Sequence, residues 1–90
     1  MIEFDQALYT SPYVSSRKKD ICARLQRGEL VLGLFALCMN PETGLPESVP
    51  SYMLHAKYYK GQDIKIVGLA ENYDYAMRYL AHIATGRYGK

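Results

Sequence analysis

Ninety residues with eleven basic and nine acidic side chains, a formal charge of +2, leave room for one small core and supply little of the long-range field that polyanion binders show. An apolar fraction of 49% beside 22% charged residues belongs to a chain that folds, not to a disordered one. Two cysteines are too few for a secreted disulfide scaffold, and the longest apolar run, residues 30–39, reaches half of the roughly twenty residues a membrane-spanning helix needs.

The first five residues, Met1-Ile2-Glu3-Phe4-Asp5, carry acid where an export signal carries base, and no apolar stretch follows. The expectation is one domain over 1–90 in the cytoplasm, off the membrane, with a core thin enough that self-association would supplement it. Residues 1–13 show no clear period and end in the turn-like Thr10-Ser11-Pro12. Ser15 and Ser16 read as N-caps for a helix over about 16–27, with Val14, Ile21, Cys22 and Leu25 at near-helical spacing and Gly28 as its stop. Asp20 and Arg24 form a favourable i,i+4 pair on it.

Leu30 to Met39 is apolar on both alternating faces, the pattern of a central strand covered on two sides. Asn40-Pro41-Glu42-Thr43-Gly44-Leu45-Pro46 ends it in a turn. Residues 49–59 fit a helix through Val49, Tyr52, Met53, Ala56 and Tyr59, or a strand through Tyr52, Leu54, Ala56 and Tyr58; the strand joins better to a turn through Tyr58-Tyr59-Lys60-Gly61-Gln62-Asp63. Ile64 to Ala70 is a second apolar strand, with Lys65 near solvent, and Asn72 caps a helix over about 73–85 that Gly86 ends. The fold class expected is α+β: a small two-layer domain in the order α-β-(β)-β-α, with two to three strands packed by two helices.

No catalytic residue, metal site or cofactor is assigned. Cys22 and Cys38 are core thiols, and neither pairs by pattern with His55 or His82 as a thiolate nucleophile pairs with its base. Cysteines at 22 and 38 and histidines at 55 and 82 lack the short paired spacings of a zinc site. Gly68-Leu69-Ala70-Glu71-Asn72 joins strand to helix as phosphate-binding turns do, yet it has one glycine, and Glu71 and Asp74 would repel an anion.

Nine tyrosines without a tryptophan are the compositional feature that points outward, since the tyrosine ring buries while its hydroxyl stays wet. Tyr75, Tyr79 and His82 lie at i, i+4 and i+7, a ridge beside the apolar face of the second helix, with Arg78 alongside. With Tyr52, Tyr58 and Tyr59 they form the expected interface of a non-enzymatic protein-interaction module, its partner a second copy or another protein. The alternative is a nucleic-acid binder, in which Lys57, Tyr58, Tyr59, Lys60 and Lys65 interleave cations and rings as single-strand surfaces do.

Overall fold

The computed structural model describes residues 2–40, 42–54, 63–83 and 85. The chain runs β1 (Ile2–Thr10), α1 (Pro12–Ser16), α2 (Lys18–Gln26), β2 (Phe35–Met39), β3 (Pro46–Pro50), β4 (Ile64–Ala70) and α3 (Tyr73–His82). It is an α+β domain. The sheet has four strands in the order β1-β4-β2-β3, where two to three were expected; β1 lies parallel to β4, and β2 is antiparallel to both β4 and β3.

The added strand is β1, whose period is hidden by its own irregularity. Ile2 and Phe4 pair with Ile64 and Ile66, then Tyr9 pairs with Gly68, so five residues of β1 pass opposite two of β4. Asp5 supports the excursion by accepting the Ala7 N–H at 2.8 Å. Ile2, Phe4 and Leu8 consequently pack on one face and Tyr9 on the other, which erases a strict alternation.

Both sheet faces are covered, so the domain has three layers where two were expected. Along β2, Ala36 and Cys38 enter a core shared with Val14, Ile21 and Leu25 of the first two helices, while Leu37 enters a second core with Ala76 and Ile83. Gly68 lets β4 approach β2: a Cβ there would stand 2.8 Å from Leu37 Cδ1. The register between these strands shifts at Leu37/Cys38, opposite that glycine.

The first helix begins at Lys18, not near 16, behind the separate five-residue α1 with Pro12 in its first turn. Gly28 ends α2 with φ +81°, as its position implied, and the Arg24–Asp20 pair closes at 3.1 Å. The expected strand over 30–39 is confined to Phe35–Met39, because Gly33 also adopts φ +81° and breaks the extended run. Of the strand expected over 49–59, residues 49–50 end β3, which occupies 46–50, residues 51–52 turn and 53–54 are helical, while 55–59 lie outside the described residues. Pro46 and Pro50 look like breakers, yet among the described residues β3 is the edge of the sheet, where a residue without an N–H is tolerated. In α3, the Asn72 side chain accepts the Tyr75 N–H at 2.9 Å, the cap expected of it.

Candidate functional site

The parallel pair β1/β4 sends its chain ends to opposite faces, β1 into α1 and β4 into α3. In open parallel sheets that divergence makes a ligand crevice. Here the chain fills it: Glu71 Oε1 accepts from Ser11 Oγ at 2.8 Å and from the Tyr13 N–H at 2.7 Å, while the Glu71 N–H donates to Ser11 Oγ at 3.0 Å. Ser11 is fully buried. A phosphate at this turn would meet a carboxylate already holding the available donors.

The expected α3 ridge closes on the chain's own β1. Tyr9 stacks on Tyr79 at 5.2 Å between ring centroids, Tyr75 lies 6.1 Å from Tyr79, and Tyr9 lies 6.3 Å from His82. Tyr79 Oη donates to the Thr10 carbonyl at 3.1 Å. Burial, with Tyr75 and Glu71 nearby, pushes the Tyr79 phenol up. Arg78 lies over the Tyr75 ring at 5.4 Å. Sequence reasoning named four members of this cluster, Tyr75, Arg78, Tyr79 and His82, and missed Tyr9, whose strand it did not assign.

Tyr52 stands 56% exposed just after β3, the sheet edge opposite β1, and no ring contact among the described residues joins it to the α3 cluster. Tyr58, Tyr59, Lys57 and Lys60 lie outside the described residues, as does His55. Lys65 is described, with its ammonium 3.9 Å from Asp5 Oδ2. Burial pushes the Cys22 thiol up, against Lys18, which is the reverse of what a nucleophilic thiolate needs. Among the described residues no three His, Cys, Asp or Glu side chains gather as metal ligands.

The surface left open lies at the other end of the first helical layer. After Gly28 the chain turns back along α2, the Glu29 N–H donating to the Arg24 carbonyl at 2.9 Å, and Gly33 turns it again into β2. Ser51 holds this irregular stretch by donating its hydroxyl to the Val31 carbonyl and its N–H to the Leu34 carbonyl. Leu34 is thereby buried, while Leu30 and Leu32 are left 58% and 68% exposed. Leu32 borders an open cleft of about 320 Å³ that is lined also by Tyr13, Val31, Leu34 and Ile21 and by the charged side chains of Arg17, Asp20 and Arg24.

Asp20 fixes the arginines at the cleft's rim, with its Oδ2 at 3.0 Å from Arg17 Nη2 and 3.1 Å from Arg24 Nε. The Arg24 guanidinium, and Arg17 after it, hold the Asp20 carboxyl below the usual carboxylate range. Arg17 is raised in turn by Asp20 and by Tyr13, whose hydroxyl lies 3.5 Å away. Both guanidinium groups keep N–H donors beyond these pairings. The arrangement can receive an apolar side chain flanked by acid; it offers no convergent acid, base and nucleophile.

The fold and this surface define a small mixed-sheet α+β domain with an exposed basic and apolar end. No protein-family model, curated protein or solved structure matches the chain. Among the described residues no helix is long and apolar enough to cross a membrane.

Proposed function

We propose that this chain is a non-enzymatic protein-interaction module that assembles with copies of itself. The observation that carries the reading is that Tyr13 and Leu32, 50% and 68% exposed, line one open cleft, with Leu30, 58% exposed, two residues before Leu32 in the chain. Large apolar groups grouped beside charge are the anatomy of a contact surface, in which a central anchor is ringed by polar residues. The α3 tyrosines support it less, because their rings already pack on Tyr9. Cys22 and Cys38 form no disulfide, which suits the reducing cytoplasm.

Sedimentation equilibrium on the full chain from micromolar to millimolar concentration tests the reading. A mass rising with concentration is the expected result. A constant 10.2 kDa throughout would remove it.

A further inference from the structure

We infer that the outer face of α2 binds the phosphodiester backbone of single-stranded nucleic acid, with Lys18 and Lys19 as its principal contacts. The exposed leucines behind the self-association reading take no part in it, and the inference stands without that reading.

The charge is local. Among the described residues, five of the seven cationic side chains and one of the nine acidic ones, Asp20, lie in residues 17–27. The chain's total of +2 understates what a polyanion meets there, because at about 0.1 M salt a charge is felt within about 10 Å. Arg17, Lys18, Lys19, Arg24 and Arg27 are all exposed. From first to last they cover about 15 Å of helix, the length of about four nucleotides of one strand at 3.4 Å each.

Asp20 does little to neutralise the lysine end. Its Oδ2 is held by Arg17 Nη2 and Arg24 Nε, and no ion pair among the described residues engages Lys18 or Lys19. The two lysines border an open recess of about 560 Å³ with Ser15, Ser16, Arg17 and Asp20. Ser15 pairs its hydroxyl with that of Thr10, and Ser16 donates to the Tyr13 carbonyl at 2.7 Å, so the recess is left with its cations as donors. Helix α2 begins at Lys18, which puts both lysines in its first turn, where the helix dipole disfavours positive charge. An anion laid across them relieves that contact.

The other extended anion of this kind is a bilayer surface. An interfacial helix enters lipid by its apolar stripe, and the stripe of α2, Ile21 and Leu25, is buried in the core. Tyr13 favours the nucleic acid: it is half exposed, with its hydroxyl 3.5 Å from Arg17 Nη1. An exposed ring beside a cation is the arrangement on which unpaired bases stack.

The test is fluorescence anisotropy of labelled single-stranded oligodeoxythymidylate, titrated with the full chain across a range of salt. It compares the parent with two variants of equal net charge, Lys18→Gln/Lys19→Gln and Lys65→Gln/Arg78→Gln. All four positions are exposed, so both variants should keep the parent's circular dichroism. For the parent we expect saturable binding whose log affinity falls with log salt at a slope of about −3, the release expected from about four phosphate contacts. Lys18→Gln/Lys19→Gln should bind about tenfold or more weaker at about 50 mM salt, with the slope reduced to about −1.5. It should also melt no lower than the parent, because the cations opposing the dipole are gone. Lys65→Gln/Arg78→Gln should bind as the parent does. Equal loss in both variants would make net charge the cause, and loss confined to Lys65→Gln/Arg78→Gln would move the contact off α2; either overturns the inference. So does a parent that binds no oligonucleotide, whether or not it adsorbs to phosphatidylserine vesicles.

Discussion

The two helical layers of this domain treat their surface side chains in opposite ways. Against α3, tyrosines that the sequence presents as an outward ridge are drawn back onto β1, with Tyr79 bonded to a backbone carbonyl and stacked on Tyr9. Beyond α2, leucines that the sequence presents as a covered strand are turned outward by Gly28 and Gly33, with Leu32 left at 68% exposure. Residue type alone therefore gives the wrong guide to which surface is free. A tyrosine is amphipathic enough to be satisfied at a sheet edge, whereas a leucine in water remains an unmet apolar group.

The largest expected effect breaks the comparison on the α3 side. Tyr79→Ala removes a stacked ring and a hydrogen bond, and should lower monomer stability by about 2–4 kcal/mol in urea unfolding, with no change in association. A Tyr79→Ala protein with parental stability and a lost self-association constant would make this ridge the interface after all. Next is the sheet centre beneath it: Gly68→Ala drives a Cβ against the fully buried Leu37 and should cost about 1–3 kcal/mol by the same measurement.

Tyr79→Phe is gentler and reports on pH. The hydrogen bond to Thr10 is lost, for about 1 kcal/mol near neutrality. Because the folded phenol is pushed up, the folded state holds this proton more tightly than the unfolded chain does. The contribution is complete below the unfolded value of about 10 and is lost as pH rises through the higher folded value. Alkaline melting curves should therefore fall less steeply for Tyr79→Phe than for the parent. The smallest effect sharpens the other side: Leu30→Ser should change unfolding free energy by no more than about 0.5 kcal/mol, since the side chain is largely in water already.

How much was legible in the sequence follows from how local each determinant is. Strand β4, helix α3 with its Asn72 cap, the Asp20–Arg24 pair and the stop at Gly28 rest on contiguous apolar runs and near-neighbour pairs, and each is read from a few adjacent residues. Strand β1 is invisible because its pairing skips four residues between Phe4 and Tyr9, which only the partner strand defines. The truncation of β2 turns on the left-handed Gly33, and a glycine inside an apolar run looks the same whether extended or turned. The strand at 46–50 is hidden by Pro46 and Pro50, whose tolerance depends on lying at an edge, a property of the assembled sheet.

The candidate surfaces divide along the same line. The spacing of Tyr75, Tyr79 and His82 puts them on one flank of α3, but the ring that packs there, Tyr9, comes from the unseen strand. The cleft required Arg17, Arg24 and Leu32 to be joined across the turn at 28–33, and the only local signals for it were the two glycines and the cations crowded into 17–27.

The most direct test of the account is a dilution series of amide ¹H–¹⁵N spectra on the full chain, which reads contact residue by residue without any substitution. On dilution from millimolar to micromolar concentration, the amides of Tyr13, Leu30 and Leu32 should shift together along one binding curve while those of Tyr75, Arg78, Tyr79 and His82 stay fixed. Shifts confined to residues 75–82, or spectra that do not change with concentration, would contradict it.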